Sequence, residues 1–424
     1  MNTNNRYTRA VNYIEGLSNL PMEKDYMKDR SSPQIYLDRM EYFLAALGHP
    51  EKGFQYIHVT GTAGKGTVTT MLHNMLHADE KRVGSYTSPF VTTSIEKIRV
   101  NDLYIAPDEF ADIVDELKPV IDAMYLDSPF GKPSYFEIFL AIALLYFKKQ
   151  HCEWVVLEVG AGGRYDATNF IASPVATVIT NIDYDHTQLL GKTLQKIARD
   201  KSGIIKPGSL FFTSEQRPVL LKMFRDVCTE KGATFHHVSR RQSFKEYNES
   251  LVLDVGRGLG IHESIVQKAI NTTHLQCRFE VMQEQPLVVV DGAHNRIKIQ
   301  STIEHLRERK FKKLFLIIGI ADNKDHLAML EQIVPLADTV FFTRFQLSAR
   351  PCASPKKLFE LSQEYMKAGA SSHTLLDPMR ALQIALNEAS PEDCILVTGS
   401  FFLAGDLRQH WVPEETILQN RRSR

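Results

Sequence analysis

The 424-residue sequence has no apolar run long enough to cross a bilayer and no excess of charge of either sign. Its longest wholly apolar stretch, Ile138–Phe147, is about half of the ~20 residues that a membrane helix needs. Lys and Arg number 50 against 50 Asp and Glu, and a neutral surface is poorly suited to nucleic acid or an anionic membrane. We therefore expect neither as a partner, although a local basic pocket could still bind a small anion.

Cysteine is also scarce. The five cysteines are odd in number, scattered and free of CxxC spacing, which argues against a disulfide framework or a zinc site and fits reduced thiols. The first ten residues, MNTNNRYTRA, contain no apolar stretch, so no signal peptide is visible. We expect a cytoplasmic, monomeric protein, and the length predicts two to three domains.

What the sequence does contain is a regular alternation of apolar, β-rich runs with stretches of helical spacing. Continuous apolar strands separated by helices are typical of parallel sheets covered on both faces, so we predict an α/β fold. The predicted strands are Tyr56–Val59, Trp154–Glu158, Val175–Thr180, Leu287–Val290, Leu314–Ile318, Thr339–Phe342 and Cys394–Thr398. The predicted helices are Thr67–His77, Tyr135–Phe147, Arg217–Lys231, Pro355–Lys367 and Met379–Ala389.

A domain boundary is predicted near residue 276. The segment Asn271–Gln285 is mostly polar and separates a helix-like run from the strand at Leu287. About five strand–helix alternations fit into the sequence that follows, enough for one smaller domain. We predict a P-loop-type, mostly parallel sheet domain over residues 1–276 and a smaller, doubly wound α/β domain over residues 277–424.

The strongest local motif is Gly61-Thr-Ala-Gly-Lys-Gly-Thr67, which lies between a predicted strand and a predicted helix. Glycines allow backbone N–H groups to approach phosphate oxygens, the helix N-terminus adds positive potential, and Lys65 supplies a point charge. The Walker pattern is not fully met, because Gly66 stands where Ser or Thr normally follows the lysine. The motif could be a glycine-rich turn without function, but a nucleotide-phosphate site is the better interpretation.

The hydroxyl that normally holds magnesium is missing from this loop, so other side chains should do so. Ser88 follows a short apolar strand, Glu158 ends another, and Asp183, Asp185 and His186 follow a third. Taken singly, Ser88 could be a turn residue, Glu158 a surface carboxylate and His186 a hydrogen-bonded loop histidine. Because α/β sheets bind ligands at the carboxyl ends of their strands, their joint position predicts a magnesium site.

A further motif, Asp291-Gly-Ala-His-Asn295, follows the apolar strand at Val288–Val290. An Asp-Gly pair at a strand end is often only a turn. Its place at the start of the predicted second domain favours a functional role, with the motif facing a cleft.

Together these segments resemble the folylpolyglutamate synthase and dihydrofolate synthase family, the two-domain folate branch of the Mur ligase superfamily. The resemblance extends from about Ile35 to Arg408. Besides the glycine loop and Asp291–Asn295, it depends on Tyr86-Thr-Ser-Pro89, Ser134-Tyr-Phe-Glu137, Leu157–Asn169, Asp185-His-Thr187, Ile197–Gly208 and Val397-Thr-Gly-Ser400. The long match around Glu158–Asn169 is the most specific part.

The resemblance implies that ATP phosphorylates a carboxylate and that the amino group of L-glutamate then displaces the phosphate. It assigns ATP contacts to Ala63, Gly64, Lys65, Gly66, Thr67, Asn248, Arg278 and Asp291. It assigns magnesium, with two sites expected, to Ser88, Glu158, His186 and Lys201. Lys201 is similar to the lysine that CO2 carbamylates in this family. Lys65, Lys201 and His294 are the expected catalytic residues, with His294 orienting phosphate or glutamate.

The expected acceptor is a folate or dihydropteroate, which places the protein in folate biosynthesis and one-carbon metabolism. The positions that match family contacts to the pterin end of the acceptor are Ser134, Phe136, Glu137, Asp166 and Ala167. The first competing interpretation is a Mur-type amide ligase with a non-folate carboxylate. Sixty residues precede Gly61, fewer than the typical 100 or more of the separate domain that full Mur ligases carry there. A P-loop kinase or nucleotide switch is a second competing interpretation, and an inactive binding protein is a third.

Overall fold

Two separate β-sheets organise the residues that the structure, a computed structural model, describes: 3–20, 25, 32–345 and 351–423. Each sheet belongs to its own unit of the chain. The first unit holds the described residues up to Ser88 together with Ser94–Thr273, and the second holds Pro89–Thr93 and the described residues from His274 onward. No helix in these described ranges has both the length and the apolarity needed to span a membrane.

The first unit contains an eight-stranded sheet in the order β4-β3-β2-β5-β1-β6-β7-β8. All pairs are parallel except β2–β3 and β3–β4 at one edge. In the central pairs Val59 lies opposite Glu158, and Thr60 lies opposite Ile179, so three strands end at the same edge. The strands are β1 Gln55–Thr60, β2 Val83–Tyr86, β3 Ile98–Val100, β4 Leu103–Tyr104, β5 Trp154–Glu158, β6 Ala176–Ile179, β7 Leu210–Thr213 and β8 Thr234–His237.

Helices cover both faces of this sheet. They are α1 Thr3–Leu17, α2 Gln34–Ala46, α3 Lys65–Ala78, α4 Pro107–Asp127, α5 Tyr135–Lys149, α6 Thr187–Leu190, α7 Leu194–Lys201, α8 Pro218–Lys231, α9 Phe244–Gly258 and α10 Glu263–Thr272. Ile57 and Val59 pack on one face with side chains of α3, α9 and α10. His58 and Thr60 alternate with them and therefore point to the opposite face.

The second unit contains a six-stranded sheet in the order β13-β12-β11-β14-β10-β9, parallel except for β9. Its strands are β9 Glu280–Glu284, β10 Leu287–Val290, β11 Leu314–Ile318, β12 Thr339–Phe342, β13 Ser371–Thr374 and β14 Cys394–Thr398. Its helices are α11 Arg296–Arg307, α12 His326–Ile333, α13 Pro355–Ser362, α14 Pro378–Glu388, α15 Phe401–Arg408 and α16 Glu414–Asn420. Separate apolar clusters fill the two faces of the sheet.

The predicted α/β class is confirmed, and the central strands begin and end close to their predicted bounds. The division of the chain differs from the prediction in two ways. The units separate between Thr273 and His274 rather than at 276, and Pro89–Thr93 belongs to the second unit. The backbone of Val91 packs against α15 at Gly405, where the carbonyl of Val91 occupies the position that a Cβ would need. Val91 of this segment thus contacts a helix of the second unit.

Candidate active site

The loop between β1 and α3 is held in shape by hydrogen bonds to the end of β6. Thr180 Oγ1 donates to the carbonyl of Ala63 at 2.5 Å, and the backbone N–H of Ala63 donates to Asn181 Oδ1 at 2.8 Å. Gly61 and Gly64 have φ angles of 150° and 82°, and a Cβ on Gly61 would overlap Thr180 Oγ1. The two glycines are therefore required by backbone conformation and by space.

Two lysines converge on this loop. Lys65 Nζ, at the first residue of α3, donates to the carbonyl of Gly61 at 3.2 Å, and Lys201 Nζ, at the end of α7, donates to the same oxygen at 2.9 Å. Burial, followed by the charge of Lys65, lowers the pKa of Lys201 to about 7, although nearby Asp185, Asp200 and Asp166 oppose the shift. A substantial fraction of Lys201 is thus an uncharged amine at neutral pH.

Ser88 and Glu158 lie together beside the same loop. The N–H of Ser88 donates to Glu158 Oε2 at 3.0 Å, and that oxygen is 3.3 Å from the position that a Cβ on Gly66 would take. Any side chain at residue 66 would therefore crowd the carboxylate. Carboxylate and hydroxyl oxygens are ligands that Mg²⁺ prefers, so this pair has the donor chemistry for a magnesium ion next to the phosphate loop.

His186 lies after β6 with a left-handed backbone, φ 48°. Its N–H donates to Asp185 Oδ1 at 3.0 Å, and its Nε2 is 3.8 Å from Asp185 Oδ2. Within the described residues no three His, Cys, Asp or Glu side chains are grouped as a metal site. A metal here would need the mixed ligand set predicted from sequence, in which Ser88 and a modified Lys201 take part.

Asn248, predicted to contact adenine, is carried by α9 and lies directly against the loop. Its Oδ1 is 2.5 Å from the position of a Cβ on Gly64.

The glycine-rich segment after β5 packs against the end of α7. The N–H of Gly163 donates to Asp200 Oδ1 at 2.9 Å, and a Cβ on Gly163 would lie 2.8 Å from the carbonyl of Lys201. Gly163 therefore packs directly against the backbone of Lys201, whose side chain reaches the carbonyl of Gly61.

Ser134 and Glu137 form a capping box at the N-terminus of α5. Glu137 is also paired with Arg39 of α2, with Nε–Oε2 and Nε–Oε1 distances of 2.9 and 3.1 Å, and the two side chains are 3% and 2% exposed. The carboxylate of Glu137 is thus committed to the helix and to Arg39. This geometry gives Glu137 a structural role, and its contact with the pterin end of the acceptor stays a prediction.

We expect Arg39→Met to destabilise the first unit by about 3–5 kcal/mol, because it leaves the Glu137 carboxylate buried without its charged partner. In a Trp411→Phe background the only remaining tryptophan is Trp154 in β5, so its fluorescence during urea unfolding reports on the first unit. The double variant Arg39→Met/Glu137→Leu should recover at least half of the loss. If Arg39→Met alone lowers the free energy of unfolding by less than about 1 kcal/mol, the pair stabilises the fold no more than an exposed ion pair does.

Phe136 and Asp166 meet at Gly160. A Cβ on Gly160 would lie 2.9 Å from the ring of Phe136 and 3.2 Å from Asp166 Oδ2. Asp166 is buried and accepts hydrogen bonds from the N–H groups of Ala161 at 2.9 Å and Thr168 at 3.0 Å. Burial raises the pKa of Asp166, and these donors oppose that shift. Ala167 follows at the start of a short 3-10 helix, Ala167–Phe170.

Tyr86 was not singled out from the sequence. It lies at the end of β2, with its ring edge-on to Phe136 at a centroid distance of 5.6 Å. Its hydroxyl is buried and makes no hydrogen bond with the described residues. The only sequence signal for it is its position directly before Thr87-Ser-Pro.

In the second unit, Asp291 organises the turn that follows β10. Its Oδ2 accepts from the N–H of Phe279 at 2.7 Å, and its Oδ1 accepts from the N–H of Ala293 at 2.8 Å. Arg278, between two residues of positive φ, places its guanidinium carbon 4.1 Å from the ring centroid of Phe401. Arg278 and Asp291, both predicted from sequence, therefore lie at the same end of the antiparallel β9–β10 pair, where the hydrogen bond from Phe279 joins their two segments.

His294 of the same turn has both ring nitrogens in hydrogen bonds. Nδ1 is 2.8 Å from the carbonyl of Gly292, and Nε2 is 3.0 Å from Nζ of Lys298. Since the carbonyl must accept and the ammonium must donate, the ring is the neutral Nδ1–H tautomer. Burial, then the charges of Lys298, Lys324 and Arg278, hold the pKa of His294 well below its usual value. A neutral ring that already accepts from Lys298 is a poor general base.

These two units, a loop of P-loop type beside a parallel sheet and a doubly wound α/β unit, define a two-domain nucleotide-dependent enzyme. Two family models match the chain: "Mur ligase middle domain" over residues 59–255 and "Mur ligase, glutamate ligase domain" over residues 277–401. The chain belongs to the Mur ligase family. Enzymes of this family are ATP-dependent ligases that form amide bonds, and this protein is one of them.

Two relatives match the chain over nearly their whole length. The dihydrofolate synthase/folylpolyglutamate synthase of Bacillus subtilis is 28% identical over 413 residues, covering 88% of this chain and 94% of that protein. The folylpolyglutamate synthase of Lacticaseibacillus casei is 27% identical over 442 residues, covering 95% and 98%. A crystal structure of folylpolyglutamate synthase from Thermotoga maritima superposes with a TM-score of 0.80 at 26% identity, covering 97% of both chains.

A second solved structure is that of E. coli FolC in complex with DHPP and ADP. It is 25% identical to this chain, covers 95% of it and 97% of its own length, and superposes with a TM-score of 0.79. The resemblance drawn from sequence motifs is thereby confirmed at the level of family and fold.

Proposed function

We propose that the protein adds L-glutamate to the carboxylate of a folate, and also to that of dihydropteroate, in an ATP-dependent reaction. The observation that carries this proposal is the convergence of Lys65 and Lys201 on the carbonyl of Gly61 in a phosphate-binding type of loop. The names of the full-length relatives, folylpolyglutamate and dihydrofolate synthases, support the choice of substrate. The complex of E. coli FolC with DHPP and ADP supports it as well.

In this proposal the phosphates of ATP lie on the loop Ala63–Thr67. Backbone N–H groups at the start of α3 and the ammonium of Lys65 would face the phosphate oxygens. Ser88, Glu158, His186 and a carbamylated Lys201 would hold magnesium, with two sites expected. When bound, magnesium supplies positive charge that neutralises the phosphates during transfer. Asn248, Arg278 and Asp291 remain the proposed additional contacts to ATP.

Carbamylation of Lys201 follows from its uncharged amine. The nitrogen lone pair adds to the carbon of CO2, an N–C bond forms as one C–O π bond opens, and one proton leaves to solvent, so that a neutral amine becomes an anionic carbamate. The pKa of about 7, set by burial and by the charge of Lys65, makes the reactive amine available at neutral pH. The product is a carboxylate-like ligand beside Asp185 and Asp200, which suits divalent cations rather than another ammonium group.

The reaction would take place in two steps. A carboxylate oxygen of the acceptor attacks the γ-phosphorus of ATP, and ADP leaves, giving an acyl phosphate. The amine of glutamate then attacks the acyl carbon, phosphate leaves, and the amine proton passes to solvent or to phosphate. A free carboxylate lacks a good leaving group, so the first step makes the second possible. His294, neutral and held by Lys298, would orient phosphate or glutamate rather than remove a proton.

The acceptor would bind near Ser134, Phe136, Asp166 and Ala167. Ser134 and Phe136 are presented by the first turn of α5, and Asp166 lies against the same glycine at residue 160. A flat ring could stack on the Phe136 side chain, and a buried carboxylate is a strong acceptor for ring N–H groups. We also propose that the enzyme works as a cytoplasmic monomer. The five cysteines, all free thiols in the structure, fit a reducing compartment.

The test is an end-point assay by mass spectrometry. The protein is incubated with Mg-ATP, bicarbonate and L-glutamate in two separate reactions. One contains dihydropteroate as the acceptor, and the other contains a reduced folate. A glutamyl mass increment on either acceptor, together with ADP, is the expected result. ADP release that needs glutamate but gives neither product would point to another carboxylate. ADP release that is indifferent to glutamate would indicate a kinase or a nucleotide switch and would overturn the proposal.

A further inference from the structure

His58 lies in the middle of β1, the central strand of the first sheet, and is completely buried. Its Nε2 is 2.8 Å from Thr168 Oγ1, which in turn donates to Asp166 Oδ1 at 2.6 Å. Its Nδ1 is buried and has no hydrogen-bond partner among the described residues. A continuous chain of hydrogen bonds thus links the centre of the sheet to Asp166, 108 positions further along the sequence.

The groups at the two ends of this chain of hydrogen bonds determine which atoms donate and which accept. If the Thr168 hydroxyl donates to Asp166, it must accept from His58, whose proton then lies on Nε2 and whose Nδ1 is a bare acceptor. The reverse direction would need a protonated Asp166 and an Nδ1–H buried without an acceptor. An unsatisfied buried donor is costly, and the N–H groups of Ala161 and Thr168 already favour an ionised Asp166. The first direction is therefore the stable one.

We propose that His58 is a positioning residue for the acceptor site: as the Nε2–H tautomer it fixes the Thr168 hydroxyl, which holds the Asp166 carboxylate ionised and in one orientation. This inference rests on the proposed function, in which Asp166 contacts the pterin end of the acceptor. Thr168 also donates its N–H to the same oxygen, Oδ1. Oδ2 accepts from the N–H of Ala161 and lies beside Gly160, where Phe136 also packs, so it is the oxygen on the side of the proposed acceptor site.

The chain of hydrogen bonds holds charge in place and does not move protons. Burial, followed by the charge of Lys206, lowers the pKa of His58 to about 3, so its ring stays neutral throughout the working range of pH. A neutral histidine on this chain neither supplies nor removes a proton at Asp166. The expected consequence of losing it is weaker acceptor binding, with the chemical step and ATP binding left intact.

The first experiment compares steady-state kinetics of four variants with the acceptor that the wild type uses, dihydropteroate or reduced folate. His58→Leu should raise the KM for the acceptor about five- to tenfold, the effect of losing one hydrogen bond to a charged network. The KM for ATP and kcat should stay unchanged. His58→Gln should restore the wild-type KM, because its side-chain N–H2 can replace Nε2–H. Asp166→Asn should raise the acceptor KM at least as much as His58→Leu.

The matched control is His73→Leu. His73 lies on α3 in the same unit, is equally buried, hydrogen-bonds through Nε2 to the carbonyl of Asn101 at 2.7 Å, and also has an Nδ1 without a partner among the described residues. Removing it should cost a similar amount of thermal stability without changing the acceptor KM. An equal rise in both leucine variants would mean that the effect of His58 is only structural, which would overturn the proposal.

The second measurement does not depend on any variant being active. The ¹⁵N chemical shifts of the His58 ring, assigned by comparison with His58→Gln, should show protonated Nε2 and bare Nδ1 from pH 5 to 8. An Nδ1–H tautomer would reverse the chain and refute the proposal. The two proposals can fail separately. If Asp166→Asn raises the acceptor KM and His58→Leu does not, only the role of His58 is wrong. If Asp166→Asn leaves the acceptor KM unchanged, Asp166 does not contact the acceptor and the role of His58 is wrong as well, whereas the ligase activity itself is judged by the formation of the glutamyl product.

Discussion

Replacing Lys65 by alanine is expected to lower glutamate-dependent ADP release by roughly a thousandfold, in line with the loss of a cation that stabilises a transferring phosphoryl group. Lys65 is the first residue of α3, and its ammonium already lies on the carbonyl of Gly61 within the loop. No other residue in the loop Gly61–Thr67 carries a charge. The measurement is ADP release with and without glutamate under saturating acceptor.

Lys222→Ala is a suitable control for this variant. Lys222 lies on α8 of the same unit, and its side chain is 78% exposed in a surface pair with Asp226, so its removal changes net charge by the same amount without touching the loop. It should keep wild-type turnover. Near-normal turnover in Lys65→Ala would show that the glycine loop is not the phosphate site.

Replacing Lys201 by alanine is expected to abolish turnover, with partial recovery when a short carboxylic acid such as acetate is added. The buried side chain leaves a space beside Asp185 and Asp200, and a small carboxylate could replace the carbamate there. The wild type should lose activity when CO2 and bicarbonate are removed, and the loss should be greater at lower pH. Protonation below about pH 7 removes the free amine that CO2 needs.

Lys206→Ala provides the comparison for the rescue. Lys206 is also partly buried, with its pKa lowered to about 8 by burial and by Lys231, and it donates to the carbonyl of Asn169. Its side chain donates to Asn169 rather than to Gly61, so no added acid should change the activity of the Lys206→Ala variant. If Lys201→Ala is active without added acid, Lys201 is structural. If it is inactive and no acid restores it, the carbamate role is wrong.

The central strands were predictable because both faces of each are covered. Trp154–Glu158, Leu314–Ile318 and Cys394–Thr398 are buried at every position, so each appears in the sequence as a continuous apolar run. The edge strands were not predicted. β8, Thr234–His237, has only partly buried or exposed side chains, and β3 and β4 have only three and two residues. Short, polar edge strands lack the periodicity that marks a core strand.

The site was predictable where one motif carries both the conformation and the chemistry, as in Gly61–Thr67. It was not predictable where the partner is distant in sequence. Glu137 matches a family position, yet its partner Arg39 is 98 residues away. His58 appears in the sequence as one polar residue inside an apolar strand, and only the folded chain places Thr168 against it. Nothing in the sequence indicates that Lys298 contacts His294, because a lysine on an amphipathic helix usually faces solvent.

The position of Pro89–Thr93 has a consequence for how the protein is made. These residues are synthesised early, within the stretch that forms the first unit, but they pack in the second, against a helix that is synthesised more than 300 residues later. The first unit can close its core on the ribosome, whereas the second must wait until its last helices emerge. A fragment that starts at His274 would lack the Val91 backbone beside Gly405, and such a fragment should fold less stably than the same sequence within the whole chain.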